Sequence, residues 1–318
     1  MKKMKNFKLA LGASLLALTL VACGGGDKAD NKDNGAAQNN NQAAQQGEEA
    51  NDSASLDKLG QVAVITREDG SGTRGAFTEI VGLIEKNGDQ ETDTTTQSAA
   101  VQNSTNGVMT TVAENPSAIG YISLGSLNDT VHAVKVEGVE PSAETILSGE
   151  YKLARPFLLV TKGEPKEGTL EADFMKFALS NQGQAIAEEA GYVKNESAED
   201  YAASDVSGEL TVAGSTSVTP LMEKLVEAYK GLNPNATIQI QSNGSSAGIT
   251  AAAEGTAQIG MSSRELKDQE KANVQGTVLA QDGIAVVVNK ENSLEDISLE
   301  QIKSIFKGEI QDWKELAK

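Results

Sequence analysis

The 318-residue sequence has few of the residues that carry covalent or metal chemistry: one cysteine, Cys23, and one histidine, His132. A single cysteine cannot form a disulfide within the chain or build a cysteine-based metal site. A single histidine argues against a histidine-ligated metal and against a Ser-His-Asp hydrolase. Because Cys23 lies in the N-terminal segment, the folded part has no cysteine nucleophile either. The sequence therefore predicts no metal, no cofactor and no catalytic residue.

Positive charge is also scarce, since 27 Lys and Arg residues stand against 45 Asp and Glu residues, a formal net charge of −18. Such a chain is a poor partner for nucleic acid or for an anionic membrane surface. The Gly-x-x-x-x-Gly-Lys-Ser/Thr pattern of ATP-hydrolysing phosphate loops does not occur in it. A small anion can still bind where backbone N–H groups and an arginine supply local positive charge.

The N-terminus indicates where the protein is located. Four lysines lie within residues 1–8, and residues 9–21 form an apolar run too short for a stable transmembrane helix. This run ends in the tetrapeptide LVAC, whose last residue is Cys23, and resembles a bacterial lipobox. We predict a signal peptide over 1–22, a lipidated Cys23 and attachment to the extracytoplasmic face of the cell membrane. The alternative is an ordinary secretory peptide that ends in a cysteine.

Residues 23–56 are rich in Asn, Gln, Gly and Ala and contain no aromatic residue, which predicts a disordered tether. Beyond them, short apolar runs alternate with helical patterns, which predicts an α/β fold with a parallel or mixed sheet. The predicted strands include 61–65, 157–160, 210–212, 238–240, 258–261 and 284–288, and the predicted helices include 75–86, 170–189, 220–232, 249–254 and 299–306. Residues 195–208 are polar and acidic and predict an internal linker.

Three loops rich in Gly, Ser and Thr each lead into a helical pattern, at 66–74, 213–217 and 243–248. Small residues let a backbone approach a ligand, hydroxyls donate hydrogen bonds, and helix N-termini offer free N–H groups and a positive dipole end. Taken alone, each loop also fits a structural strand–helix turn. Together the three loops favour a cage for a small oxyanion.

The same loops carry a family resemblance, together with further motifs along the chain. The motifs are 67–77, 118–121, 214–217 with Pro220, 244–248, 259–264, 282–284 and 305–310 with Trp313. In these motifs the sequence resembles the phosphate-binding lipoproteins that serve bacterial ABC-type phosphate importers. The resemblance covers nearly all of the chain from about residue 57.

The order of the motifs differs from that of the family. Residues 57–197 resemble the family's second part, and residues 208–318 resemble its first part. We interpret this order as a circular permutation, in which the linker 195–208 joins the family's original ends. The alternative is a truncated fusion that needs a second chain to complete its fold.

The resemblance implies a type II periplasmic-binding-protein-like fold of two α/β lobes, circularly permuted, with the ligand in the cleft between the lobes. Lobe A is expected at 155–286. Lobe B is expected at 57–154 plus 287–318. The chain is expected to cross between the lobes near 155–156 and 287–288.

The resemblance also implies which residues bind phosphate. Arg67 supplies a fixed charge, because its planar guanidinium can hold two oxygens and cannot lose its proton. The other implied ligand-binding residues are Ser71, Gly72, Thr73, Thr216, Ser217, Ser245 and Ser263. Asp69 is expected to pair with Arg67 and hold its orientation, or else to cap the next helix as a turn residue.

One position departs from the family's pattern. Ser263 stands where the best-known members have an aspartate that accepts the phosphate proton and rejects sulfate. Selectivity is then expected to rest on another acceptor, with Asp69 and Asp282 as candidates, or to be weaker. Arg264 either contacts the ligand or is an exposed helix-capping residue.

The function implied is that of an extracytoplasmic solute-binding lipoprotein, which captures inorganic phosphate and delivers it to the permease and ATPase subunits of an ABC importer. We expect a monomer and no enzymatic activity. The alternatives are a phosphate-binding surface adhesin or sensor, and a phosphatase that uses the same group of donors.

Overall fold

The computed structural model describes residues 55–88, 90–195 and 199–317. The predicted signal peptide, the lipidation site Cys23 and nearly all of the predicted tether therefore lie outside the described residues. Across the described ranges, no helix has the length and apolar character needed to cross a membrane.

Helices and strands alternate along most of the described chain. The α-helices are α1 Gly72–Val81, α2 Thr105–Ala113, α3 Ala143–Leu147, α4 Leu170–Ala178, α5 Asn181–Glu189, α6 Thr219–Leu232, α7 Ser245–Glu254, α8 Asp268–Lys271 and α9 Leu299–Lys307. The strands are β1 Ala63–Arg67, β2 Ile84–Asn87, β3 Gln90–Asp93, β4 Ala100–Gln102, β5 Ala118–Ser123, β6 His132–Ala133, β7 Lys135–Val136, β8 Ala154–Thr161, β9 Val193–Lys194, β10 Gly208–Gly214, β11 Ala236–Ser242, β12 Ile259–Ser262, β13 Gln275–Val288 and β14 Asp296–Ile297. Short 3₁₀ turns lie at Leu56–Lys58, Leu124–Ser126 and Trp313–Leu316.

Within the described residues, ten strands form one sheet, whose main order is β11-β10-β12-β8-β13-β5-β1-β4, with β6 and β9 also paired to β13. The strands β11, β10 and β12 are parallel at one end, and β5, β1 and β4 are parallel at the other. Antiparallel pairings of β8 and β13 join these two groups. The strand β13 pairs with β8 over 275–283 and with β5 over 284–288, so it belongs to both halves of the sheet.

The buried side chains form two main cores, one in each half of the sheet. The Phe174 core contains buried apolar residues of β8, β10 and β12 with α4 and α6, among them Phe157, Phe174, Leu210, Leu225 and Ile259. The Phe306 core contains those of β1, β5 and the end of β13 with α1 and α9, among them Phe77, Tyr121, Ile284, Phe306 and Trp313. Smaller clusters cover the other faces of the sheet.

Along the chain, membership changes from one core to the other between Leu153 and Phe157 and again between Ala280 and Ile284. The second change falls several residues before the crossing expected near 287–288. The lobe boundaries at 155–286 and at 57–154 plus 287–318 stay a prediction.

The first and last described segments lie side by side. The Val62 N–H donates to the Gln311 carbonyl at 2.9 Å, and the Trp313 N–H donates to the Gly60 carbonyl at 3.0 Å. Gln61 forms an isolated antiparallel bridge with Asp312. The fold thus brings the C-terminal tryptophan segment next to the residues that lead into β1.

Two predicted helices differ from the observed ones. The helix expected over 170–189 is two helices, because the Ser180 hydroxyl donates to the Phe177 carbonyl at 2.6 Å and accepts from the Gly183 N–H at 3.3 Å, which caps α5. The helix expected over 75–86 begins earlier and ends at Val81, because Gly82 adopts a left-handed conformation with φ of 77°.

The predicted linker also has more structure around it than its composition indicates. Residues 199–207 form no helix or strand. Tyr201 nevertheless is buried, donates its hydroxyl to Asp173 Oδ2 at 2.6 Å and accepts from Asn233 Nδ2 at 2.7 Å. Its side chain fixes this segment to α4 and to the end of α6.

Candidate anion-binding site

The loops that follow parallel strands from both halves of the sheet meet at one place. The strand β1 leads into α1, β4 into α2, β10 into α6 and β11 into α7. In open α/β sheets, ligands bind beyond the carboxyl ends of the strands. Each of these helices begins there, with its unpaired N–H groups and the positive end of its dipole.

Hydroxyl groups from the two halves bond directly to one another at this place. Thr73 Oγ1, in the first turn of α1, lies 2.8 Å from Ser217 Oγ. Thr105 Oγ1, at the start of α2, lies 3.1 Å from Ser217 Oγ and 3.2 Å from Thr216 Oγ1. The Thr105 N–H also donates to Thr216 Oγ1 at 3.4 Å. Hydrogen bonds thus join the first turns of α1 and α2 to the loop before α6.

A second group of hydroxyls lies beside Gly72. Ser263 Oγ accepts from Ser215 Oγ at 2.9 Å and lies 3.3 Å from Ser245 Oγ. A methyl group added at Gly72 would lie 2.3 Å from Ser245 Oγ and 2.6 Å from Ser263 Oγ. The backbone of α1 therefore approaches the opposite half as closely as only glycine allows. We call the residues that meet here the cradle: Arg67, Gly72, Thr73, Thr105, Ser215, Thr216, Ser217, Ser245 and Ser263.

Arg67 is the charged member of the cradle and has an exposed fraction of only 1%. One edge of its guanidinium pairs with Glu68, since Nε and Nη2 lie 2.8 Å from Oε2 and Oε1. The other edge donates to hydroxyls, from Nη2 to Thr216 Oγ1 at 3.1 Å and from Nη1 to Thr105 Oγ1 at 3.4 Å. The edge of the guanidinium that is not paired with Glu68 thus faces the hydroxyls of Thr105 and Thr216, where it could hold an anion.

The backbone of Arg67 is fixed on two sides. Tyr121 Oη accepts from the Arg67 N–H at 3.3 Å and shares a 2.8 Å hydrogen bond with Thr66 Oγ1. Burial raises the pKa of Tyr121 to about 12, so this hydroxyl stays neutral. Arg74 Nη1 donates to the Arg67 carbonyl at 2.8 Å. These contacts define where the Arg67 side chain leaves β1.

A buried ion pair lies next to the cradle, where β8 meets β13. Arg155 donates from Nε and Nη2 to Asp282 Oδ2 at 3.3 and 3.0 Å, and from Nη1 to the Ser263 carbonyl at 3.0 Å. Asp282 Oδ1 accepts from Ser123 Oγ at 3.0 Å and from the Gly125 N–H at 3.4 Å. Burial raises the pKa of Asp282, and the Arg155 guanidinium opposes that rise.

This arrangement fits a small tetrahedral oxyanion. The hydroxyls that bond to one another can turn their hydrogens to anion oxygens, and the helix N-termini and Arg67 supply positive charge. Each hydrogen bond to a charged group contributes about 1.5–3 kcal/mol net. Several of them together can exceed the free energy of stripping water from such an ion.

Comparison with known proteins identifies the fold. A family model described as "PBP superfamily domain" matches residues 31–182 and 199–318. The chain belongs to the PBP superfamily. The expected periplasmic-binding-protein-like fold is therefore confirmed.

Named relatives of this PBP-superfamily chain are phosphate-binding proteins. Phosphate-binding protein PstS 2 of Streptococcus agalactiae serotype V is 48% identical over 272 residues, which cover 85% of this chain and 92% of that protein. Phosphate-binding protein PstS 2 of Streptococcus pneumoniae serotype 4 is 49% identical over 259 residues, which cover 81% and 88%. The resemblance found in the loops is confirmed at the level of the family.

A solved relative supports the same conclusion. The crystal structure of a phosphate ABC transporter, phosphate-binding protein from Streptococcus pneumoniae TIGR4 has 48% identity and a TM-score of 0.65. The match covers 80% of this chain and 99% of that one. The permuted order of the motifs stays a prediction.

The PBP-superfamily fold brings most of the predicted site residues together. All eight predicted ligand-binding residues lie in the cradle or cap a helix that begins there: Arg67, Ser71, Gly72, Thr73, Thr216, Ser217, Ser245 and Ser263. Ser71 is the N-cap of α1, and its Oγ accepts from the Arg74 N–H at 3.2 Å. The ligand-binding role of these residues stays a prediction.

The prediction that Asp69 pairs with Arg67 needs correction. Glu68 holds Arg67, whereas Asp69 Oδ1 lies 2.9 Å from Arg74 Nη1 with 95% of its side chain exposed. The physical reason is a turn, in which the Ser71 N–H donates to the Glu68 carbonyl at 3.0 Å. Because the strand ends at Arg67, its alternation does not extend to Asp69.

Asp282 and Arg264 both form ion pairs with other side chains of the protein. Asp282 lies on β13 in the ion pair with Arg155. Arg264 donates from Nη1 and Nη2 to the Glu270 carboxylate, at 2.8 Å each, and its Cδ would lie 3.1 Å from a methyl group at Gly75. The described contacts therefore assign Arg264 to packing between the two halves, and it is buried rather than an exposed cap.

Four residues of this region were not among the predicted site residues: Thr105, Ser215, Glu68 and Arg155. A signal for Thr105 existed, because Ser104 and Thr105 precede an apolar helical pattern as an N-cap and first residue do. Glu68 adjoins Arg67 but could not be told from Asp69 without the turn geometry. Arg155 occurs in the sequence only as a charge before an apolar strand.

Proposed function

We propose that this protein captures inorganic phosphate outside the cytoplasm and delivers it to the permease and ATPase subunits of an ABC importer. The named relatives are phosphate-binding proteins, and one solved relative is named as part of a phosphate ABC transporter. These names support the proposal at the level of the substrate and the transport system.

One observation carries the proposal. The edge of the Arg67 guanidinium that is not paired with Glu68 faces hydroxyls from both halves of the molecule, where four helices begin. A tetrahedral anion at this position would accept hydrogen bonds from both halves at once. Binding would then hold the halves together, which is how a solute-binding protein distinguishes its loaded form.

We propose binding without catalysis. The groups gathered in the cradle are hydroxyls, backbone N–H groups and a guanidinium. A hydroxyl nucleophile needs an adjacent base. No described contact joins the chain's histidine, His132, to the cradle, and the described side-chain hydrogen bonds of Glu68 go to Arg67 rather than to a hydroxyl. A chromogenic phosphate ester that the purified protein hydrolyses would contradict this part of the proposal.

We further propose that Cys23 is lipidated after removal of residues 1–22, and that residues 23–56 tether a monomer to the outer face of the membrane. Lobe A at 155–286 and lobe B at 57–154 plus 287–318 would close on the ligand. Replacing Cys23 by alanine would then release the protein into the medium, whereas retention on the cell would contradict the lipid anchor.

Calorimetric titration with phosphate tests the central proposal. We expect one site per chain with a dissociation constant of about 1 μM or less, from several charge-assisted hydrogen bonds. Deletion of the gene should reduce phosphate uptake at low external phosphate. Binding without any change in uptake would favour an adhesin or a sensor, and no binding would contradict the assignment of phosphate.

A further inference from the structure

Phosphate and sulfate are similar in size and shape but differ in protonation. At neutral pH phosphate carries one or two protons, whereas sulfate carries none. A site that offers a hydrogen-bond acceptor to the ligand therefore favours phosphate, because the acceptor meets only lone pairs on sulfate. The choice of an acceptor residue rests on the proposed function, because it requires that the cradle binds phosphate.

Three residues that could have been the acceptor are excluded by their contacts. Ser263 carries no charge, so its hydroxyl, which bonds to Ser215 and Ser245 and can donate, does not repel sulfate as a carboxylate would. Asp69 is exposed and paired with Arg74. A carboxylate has about four lone-pair sites, and Asp282 accepts four hydrogen bonds from the protein.

Glu68 is the carboxylate that remains at the cradle among the described residues. Each of its oxygens accepts one hydrogen bond from Arg67, which leaves about two lone-pair sites free. Its Oε1 lies 2.8 Å from Arg67 Nη2, and Thr216 Oγ1 lies 3.1 Å from the same nitrogen. The Glu68 carboxylate therefore lies next to the edge of the Arg67 guanidinium that faces the cradle hydroxyls.

Glu68 also reaches the opposite half of the molecule. Its Oε1 would lie 3.5 Å from a methyl group added at Gly244, the residue that precedes α7. Next to it, the Ser246 N–H donates to the Gly70 carbonyl at 3.1 Å. The side chain is 27% exposed, so it lies at the edge of the cradle, where an entering anion would pass it.

We propose that Glu68 determines specificity, as the acceptor for the proton of the bound phosphate. Its free lone pairs take a hydrogen bond from a protonated oxyanion and repel an unprotonated one. The two hydrogen bonds from Arg67 keep the carboxylate in place for this role. Ser263, an uncharged residue, then needs no part in rejecting sulfate.

The test is calorimetric titration of the full chain and its E68Q variant with phosphate, arsenate and sulfate at pH 7. Glutamine keeps the size of the side chain but adds N–H donors that suit sulfate. We expect the wild type to bind phosphate and arsenate and to discriminate against sulfate. In E68Q the ratio of phosphate to sulfate affinity should fall by about tenfold or more, mainly through tighter sulfate binding.

The matched control is D69N, which removes the neighbouring carboxylate that faces Arg74, and E68D keeps the charge at the acceptor position. D69N should leave the selectivity unchanged, and E68D should still reject sulfate. An equal loss of phosphate and sulfate affinity in E68Q would show that Glu68 only positions Arg67, and would overturn the proposal. Unchanged selectivity in E68Q would overturn it as well, whereas a wild type that binds no phosphate would contradict the proposed function itself.

Discussion

At the scale of single residues, the two halves approach each other closely at Gly72. The added methyl group would meet Ser245 Oγ and Ser263 Oγ, which belong to short, buried side chains. At Gly75, one turn of α1 further on, an added methyl group would meet only the side chain of Arg264, whose Cδ would lie at 3.1 Å. A long side chain can shift by a few tenths of an ångström, whereas a buried serine bonded on both sides has little room.

We therefore expect Gly72→Ala to weaken phosphate binding by about tenfold to hundredfold, because overpacking of this kind costs about 1–3 kcal/mol. The matched variant Gly75→Ala should change the affinity by about threefold or less. Calorimetric titration of both variants measures the difference. Equal affinities for the two variants would show that the halves do not close at Gly72.

The buried pair of Arg155 and Asp282 leads to a prediction about stability. Asp282→Asn removes the charge that compensates Arg155, so we expect the free energy of unfolding to fall by about 3–5 kcal/mol. A double variant that also carries Arg155→Met should recover much of this loss, because no buried charge is left unpaired.

Urea unfolding followed by circular dichroism measures these changes. Asp69→Asn, at an exposed carboxylate, is the control and should change the stability by about 0.5 kcal/mol or less. A similarly small effect of Asp282→Asn would contradict the role assigned to the pair.

The composition of the loops indicated a cage for an oxyanion, and the family resemblance implied most members of the cradle, but neither gave its ion pairs. Arg67 and Thr216 were expected together because the resemblance assigns both to one phosphate site. The partner of Arg67 could not be predicted, because a single turn decides whether Glu68 or Asp69 faces it. Arg155 and Asp282 are far apart in the sequence, and only the pairing of β8 with β13 brings them into contact.

At the scale of secondary structure, the site depends on where helices begin rather than on how long they are. The sequence predicted both ends of α6 and α9 to within one residue, because α6 has a proline in its first turn and α9 has a serine cap. It placed the start of α7 at 249, four residues late, because its first turn is as rich in Gly and Ser as the loop before it. It predicted one helix over 170–189, since the apolar pattern continues through Ser180 and periodicity does not reveal a cap. It also predicted 284–288 as a separate strand, because the first part of β13 is polar on one side and exposed at its start.

The segment 199–207 joins the two parts of the chain and is held by Tyr201. Tyr201→Phe removes a hydroxyl that bonds to Asp173 and takes away the acceptor of the buried Asn233 Nδ2. We expect the free energy of unfolding to fall by about 1–3 kcal/mol, with phosphate affinity unchanged. Denaturant unfolding and calorimetry check the two parts, and a loss of affinity would link this segment to the ligand site.

At the scale of the whole molecule, the first and last described segments lie side by side, as the permuted order predicts. The segment before β1 and the segment around Trp313 share backbone hydrogen bonds, and Trp313 Nε1 donates to the Ser117 carbonyl at 2.9 Å. In the order that the motifs have in the family, the tryptophan segment would continue directly into the strand that ends at Arg67. The fold provides that continuity by contact instead of by a peptide bond.

A reordered chain tests this interpretation. It would begin at Gly208, run to the present C-terminus, continue through a short Gly/Ser linker into residue 55, and end at Ser207. Closing a loop of a few residues between adjacent ends has a small entropic cost, about 0.6 kcal/mol for each doubling of its length. We expect the reordered chain to unfold within about 2 kcal/mol of a control that spans 55–318 in the present order.

Both chains should bind phosphate with affinities within about threefold of each other, because every member of the cradle and its supporting strands is retained. Calorimetry and size-exclusion chromatography with light scattering measure the affinity and the mass. If the present order binds phosphate only as a dimer, the chain is a truncated fusion completed by a second copy. If the reordered chain is folded and monomeric but does not bind phosphate, the position of the chain ends affects the site. That result would contradict the prediction that both orders build the same binding site.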